Sequence, residues 1–247
     1  MGLNIRQPWN HQNTTIKGAF GDDNIVELGD GRNNIVLTGL NSTVILGDGA
    51  GSRIQFIDPE TGGGGVNRAT IGDGGNSVLI GAWDSRNILI SSGAGDRLYG
   101  GNQADILMAM GPGAQAFGRS GNDTIVVSGG YGNGGAGNDT LQGYNDSTLY
   151  GARGGRDTFT PITFGANTQV TIQDFNPLLG DRVNLAFRGF QAPHGVQVTQ
   201  DGNNTVFDYT NGSGQDSVLT LAGTGTALAD FAGAVSKGWV INAPDQL

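Results

Sequence analysis

At 247 residues, with 46 glycines and no strict G-X-Y period, the chain is long enough for one extended domain or two short ones and is not collagen-like. A net charge of −9 argues against nucleic acid and anionic membrane surfaces as partners and suits cations. The lack of cysteine excludes disulfides and thiolate metal sites, and a charged fraction of 14% is too low for a charge-driven disordered chain.

Residues 1–17 read as a polar N-terminal tail or cap. The opening MGLNIRQPWN has no apolar segment of the kind a cleaved leader carries, so any export is expected to proceed without one. Arg6 stands where a myristoylation site has Ser or Thr, and no apolar run reaches membrane-spanning length.

From residue 18 a nine-residue frame recurs: G-G-x-G-x-D-x-U-x, where U is a large apolar residue. Residues 134–142 (GGAGNDTLQ) match it fully, and 118–126 (GRSGNDTIV), 100–108 (GGNQADILM) and 152–160 (ARGGRDTFT) share it, with starts 18, 16 and 18 residues apart. Looser copies lie at 18–26, 28–36, 71–79, 82–90 and 91–99. A fixed period sets the architecture of the whole segment. Two units make a coil of about 18 residues, turn–strand–turn–strand, each strand pairing in parallel with its counterpart one coil away at about 4.8 Å. The eighth position (Ile25, Ile35, Val44, Ile54, Val78, Leu89, Leu98, Leu107, Ile125, Leu141, Phe159) is expected to point inward. Residues 57–68 (IDPETGGGGVNR) break the rhythm and read as a loop.

Beyond residue 160 the pattern changes to longer strands, expected at 169–175, 181–185, 195–199, 205–209 and 217–221, with a short helix at 227–236. Residues 161–247 thus read as a cap over the open end of the stack, whose last strands would otherwise be bare edges. The expected fold is all-β: a parallel β-roll of two-strand coils over 18–160, with a C-terminal β-rich cap carrying one short helix.

The sixth position carries the chemistry. In one set of units it runs Asp23, Ser42, Asn67, Asn87, Asp105, Asp123, Asp139, Asp157; in the other the acidic member is Asp96. Two ionised carboxylates about 5 Å apart repel by roughly 1 kcal/mol or more. A cation between them removes that cost. Calcium accepts six to eight oxygens in flexible geometry, whereas magnesium demands a tighter shell. Zinc is disfavoured with no Cys and only His11 and His194. Asp30, Asp48 and Asp73, in Gly-Asp-Gly turns, form a second series that either binds metal or serves as Asx-type turn residues. No H-E-x-x-H, G-x-S-x-G or Walker motif is present, so an enzymatic role is not the expectation.

GGAGNDTLQ and GRSGNDTIV resemble the repeats of the RTX (repeats-in-toxin, hemolysin-type) calcium-binding family, closely over 91–160 and loosely over 18–90. Asp174-Phe175, Gly180-Asp181-Arg182-Val183 and the LTLAG at 219–223 are similar to segments that follow such repeats. The resemblance implies about three Ca2+ ions held by Asp105, Asp123, Asp139 and Asp157. It also implies carbonyl ligands from Gly101, Gln103, Arg119, Gly121, Gly135, Gly137, Arg153 and Gly155, with Asp96 and Asp23 as outlying ligands. It further implies a secreted, extracellular protein exported by type I secretion machinery that folds on meeting Ca2+. Its role would be structural or binding, contacting a polysaccharide, matrix or cell surface. The alternative is a carbohydrate-active or accessory role like that of the R-modules of mannuronan C5-epimerases.

Overall fold

The computed structural model describes residues 2–7, 13–17, 23–58, 64–152, 154–162, 168–184, 197–210, 216–222, 224 and 231–241. The chain is an all-β solenoid of about 8 turns with about 18 residues per turn. Among the described residues, successive strands alternate between two sheets as far as Arg182–Asn184, and the sheets hold eleven and twelve strands in all. Apart from two antiparallel strands at the end of the second sheet, each strand pairs in parallel with the strand one coil away, from Asn4–Gln7 against Ile25–Leu28 at one end to Arg182–Asn184 against Val240–Ile241 at the other.

Strand alternation builds the core. In the first sheet, Val26, Val44, Ala69, Leu89, Leu107, Ile125, Leu141, Phe159, Val183 and Val240 are stacked in register and buried. In the second, Ile16, Val36, Ile54, Leu79, Leu98 and Ala116 begin the facing column, which continues through Leu149 and Ile172 to Leu221. Truncating one rung, Leu107→Ala, is expected to cost about 2–5 kcal/mol in a denaturant-unfolding measurement, because stacked neighbours above and below cannot collapse into the gap.

Three inward assignments were displaced by one residue. Ile25, Ile35 and Val78 face outward, and Val26, Val36 and Leu79 take their places. In each case two apolar residues are adjacent, so alternation alone is ambiguous, and the register with Val44 and Ile54 decides. The expected loop at 57–68 yields its last three residues to the strand Val66–Ile71, and residues 59–63 lie outside the described residues.

The parallel ladders run on past residue 160. Thr158–Ile162 pairs with Arg182–Asn184, and Thr168–Ile172 pairs with Asp216–Leu221. Two antiparallel strands, Asn204–Thr210 and Gln197–Asp201, then finish the second sheet. The short helix is Phe231–Ser236. No helix among the described residues is long and apolar enough to cross a membrane.

Turn glycines make the close stacking possible. Gly137 adopts φ +137°, and a Cβ there would meet the Gly121 carbonyl oxygen at 1.9 Å. Gly137→Val combines a forbidden backbone angle with this clash. It is expected to lower Tm by more than any exposed-strand substitution in a thermal melt.

Candidate metal centre

Asp105, Asp123, Asp139 and Asp157 each stand one residue before a strand of the first sheet, so the parallel register brings them to one corner of the solenoid. All four are buried. Their Oδ1 atoms form a continuous chain of staples: Asn87 N–H donates to Asp105 (2.6 Å), Asp105 N–H to Asp123 (2.8 Å), Asp123 N–H to Asp139 (2.8 Å) and Asp139 N–H to Asp157 (2.8 Å). The chain has a fifth acidic member that the repeat frame did not assign, Asp181, whose Oδ1 accepts from Asp157 N–H at 3.0 Å. The interval of 24 residues hid it; the Gly180-Asp181 pair was the available signal. Asp174, also outside the expected set, closes the neighbouring turn by accepting from the N–H groups of Gly151 (2.9 Å) and Ala152 (2.6 Å).

Earlier coils perform the same stapling with neutral groups. Asn24 N–H donates to Ser42 Oγ, Asn34 N–H to Ser52 Oγ and Ser52 N–H to Ser77 Oγ. The column therefore begins at Asn24, not Asp23. Asp23 is an exposed turn residue with φ +67°. Asp96 is fully buried and ends the shorter column at the opposite corner, accepting from Ser77 N–H (2.7 Å) and Ser91 Oγ (2.5 Å). Asp30 and Asp48 are exposed and staple in the reverse sense, accepting from the N–H groups of Asp48 and Asp73 at 3.0 Å each. These bonds join neighbouring coils, 18 and 25 residues apart in sequence, and are not the local bonds of an Asx turn.

The difference between the Asn and Asp coils lies in the second side-chain atom. Asn87 Nδ2 donates to the turn carbonyls of Ala82 (2.9 Å) and Ser85 (2.8 Å). In the Asp coils that donor is replaced by an acceptor. Asp123 Oδ2 and Asp139 Oδ2 are buried without a hydrogen-bond partner, two of the few such side-chain oxygens among the described residues. Asp123 Oδ2 and the Gly134 carbonyl oxygen lie 2.2 and 2.4 Å from the point a Cβ on Gly118 would occupy. Two acceptor oxygens converge there.

The electrostatics follow. Burial pushes the Asp123 carboxyl up to about 8, with the Asp105 and Asp139 charges adding to it, and pushes Asp139 to about 6. Asp157 rises to about 7, through burial and then the charges of Asp139, Asp181 and Asp174. Burial also raises Asp105, Asp174 and Asp181, opposed by backbone N–H bonds to each. Such a group is stable only when it holds a proton or faces a cation.

The carbonyls of Gln103, Arg119, Gly121 and Gly137 are aimed along the stack at Gly121, Gly135, Gly137 and Gly155 of the next coil. The Gly101 carbonyl accepts from Ser120 N–H. Arg153 lies outside the described residues, as do His11 and His194. No three acidic or His side chains converge as a compact ligand group among the described residues. The donors present are single carboxylate oxygens, one per coil, together with turn carbonyls. Hard oxygen atoms of this kind, two of them without partners, fit a calcium-type cation and not a zinc-type one.

No protein-family model matches the chain, and comparison with curated proteins and with solved structures finds no match either.

Proposed function

We propose that the chain is a calcium-binding β-roll in which Asp105, Asp123, Asp139 and Asp157, with the carbonyls of the intervening turns, hold Ca2+ between coils 100–160. The observation that carries this reading is the exchange of a donor for an acceptor at one corner: Asn87 satisfies its turn carbonyls, whereas Asp123 and Asp139 each leave a buried Oδ2 unmet. A divalent cation supplies the missing positive charge and accepts carboxylate and carbonyl oxygens together. Binding free energy then acts as folding free energy, so the later coils tighten when calcium is plentiful. This suits a secreted protein working in millimolar extracellular calcium, exported by type I secretion machinery, with a structural or binding role.

The binding role has one supporting feature. The outward positions of the second sheet from Ile35–Thr38 to Thr168–Ile172 carry Arg53, Arg97 and Arg119 and no carboxylate, although the chain is acidic overall. Acidic polysaccharide is the class of partner that such a face would accept. The deciding experiment is a calcium titration followed by far-UV circular dichroism. A rise in β-signal saturating near three equivalents is expected; no change up to millimolar Ca2+ overturns the reading. Glycan binding measured with and without chelator then tests the partner.

A further inference from the structure

Arg119 departs from the repeat at the position where the full match at 134–142 has Gly135, its partner in strand register. It nevertheless keeps the glycine-type backbone: Arg119 has φ +78°, Gly135 φ +103°. A non-glycine residue in this region costs on the order of 1 kcal/mol or more, so its side chain must return something. The guanidinium is pinned on three sides. Nη1 donates to the Gly100 carbonyl at 2.8 Å, and the group lies over the rings of Trp83 (5.2 Å) and Tyr99 (5.5 Å). Cation–π contacts of this kind hold a charge in place at modest desolvation cost.

The pinned charge sits at the N-terminal end of the carboxylate column. Gly100, whose carbonyl it engages, is also the residue whose Cα faces Asp105 Oδ2, at 2.4 Å from where a Cβ would stand. Asp105 Oδ2 has a donor, Gly101 N–H at 2.6 Å, while the corresponding oxygens of Asp123 and Asp139, further along and away from the guanidinium, have none.

We propose that the Arg119 guanidinium is a resident cation that stands in for one divalent ion beside Asp105, fixing where ion binding begins along the column. The inference rests on the calcium-binding reading for the later coils and adds a boundary to it. It makes residue 119 a device that sets ion number: the anchored arginine there replaces an ion for which glycine would leave room.

The test is a count of bound Ca2+ by equilibrium dialysis with elemental analysis, on wild type, Arg119→Gly and Arg119→Gln, with folding checked by circular dichroism. Arg119→Gly restores the repeat residue and relieves the backbone, and Arg119→Gln removes the charge while keeping a long side chain. Each is expected to bind one more ion per chain than wild type, and adding Asp105→Asn to either is expected to abolish that gain. An unchanged or lower count in both variants overturns the inference. Wild type binding no ion overturns the calcium reading separately, because the Arg119 inference is judged on the difference between variant and wild type.

Discussion

Replacing Asp123 and Asp139 together by Asn is expected to raise the Tm of the metal-free protein at pH 8 by about 5–10 °C and to remove most of its stabilisation by Ca2+. Asn keeps the Oδ1 that accepts the N–H of the preceding coil, so the staples to Asp105 and Asp123 survive. It replaces the unmet Oδ2 with a donor, as Asn87 does against Ala82 and Ser85. The buried negative charge, worth a few kcal/mol by the rise of these carboxyls to about 8 and about 6, is gone. The Ala pair removes the same charge but strands two buried N–H groups at about 1–3 kcal/mol each, so in chelator it melts lower than the Asn pair, and with saturating Ca2+ it melts lower than wild type. Thermal melts of both pairs, each with chelator and with saturating Ca2+, check this. Should the Asn pair melt lower than wild type in chelator, the second oxygen of each Asp has a partner other than a cation.

The metal-free protein is expected to lose stability as pH rises from 5 to 8, contrary to the usual behaviour of aspartates. Asp139, Asp157 and Asp123 titrate in the folded state near 6, 7 and 8, well above the unfolded value of about 3.9. Between those limits the folded chain holds protons that the unfolded chain has released. Stability is therefore fully present below about pH 4 and drains away as each folded-state value is passed. Under the proposed calcium-binding reading, Ca2+ is expected to compete with those protons. With saturating Ca2+ the fall flattens, and adding the ion to chelator-treated protein at pH 6 acidifies an unbuffered solution. Calorimetric Tm against pH, with chelator and with Ca2+, reads the first effect, and a pH-stat reads the second. A chelator-treated protein whose Tm climbs from pH 5 to 8 would contradict the buried, unpaired state of these carboxyls.

Much of this architecture was legible because a period leaves few choices. The frame at 100–160 located Asp105, Asp123, Asp139 and Asp157 at one corner, and the structure brings them there. It was less reliable where the glycines thin out. At 23–26, 33–36 and 76–79 the turn residue (Asp23, Asn33, Asn76) and the column residue (Asn24, Asn34, Ser77) are adjacent polar groups, so the frame slipped by one. The positive φ of Asp23, Asn33 and Asn76 marks them as the turn members. What the sequence could not express is direction. A one-letter D says nothing of whether its oxygen caps the coil before it, as Asp105 does, or the coil after it, as Asp30 does. Asp174 and Asp181 escaped the frame because a longer turn separates them from the repeats, although they continue the same work.

That directionality gives the roll an order of dependence. Along the acidic corner every N–H is met by the side chain that follows it: Asn87 waits on Asp105, and so on to Asp157, which waits on Asp181. Asp181 ends the row: its own N–H turns back to the Asn176 carbonyl at 3.3 Å, and its Oδ2 accepts from Asn176 N–H at 2.8 Å. The 176–181 bend is thus the keystone of the row. Losing it would unzip the corner from its far end, each released turn exposing the next, so a chain cut short before residue 181 should loosen most in the coils closest to the cut.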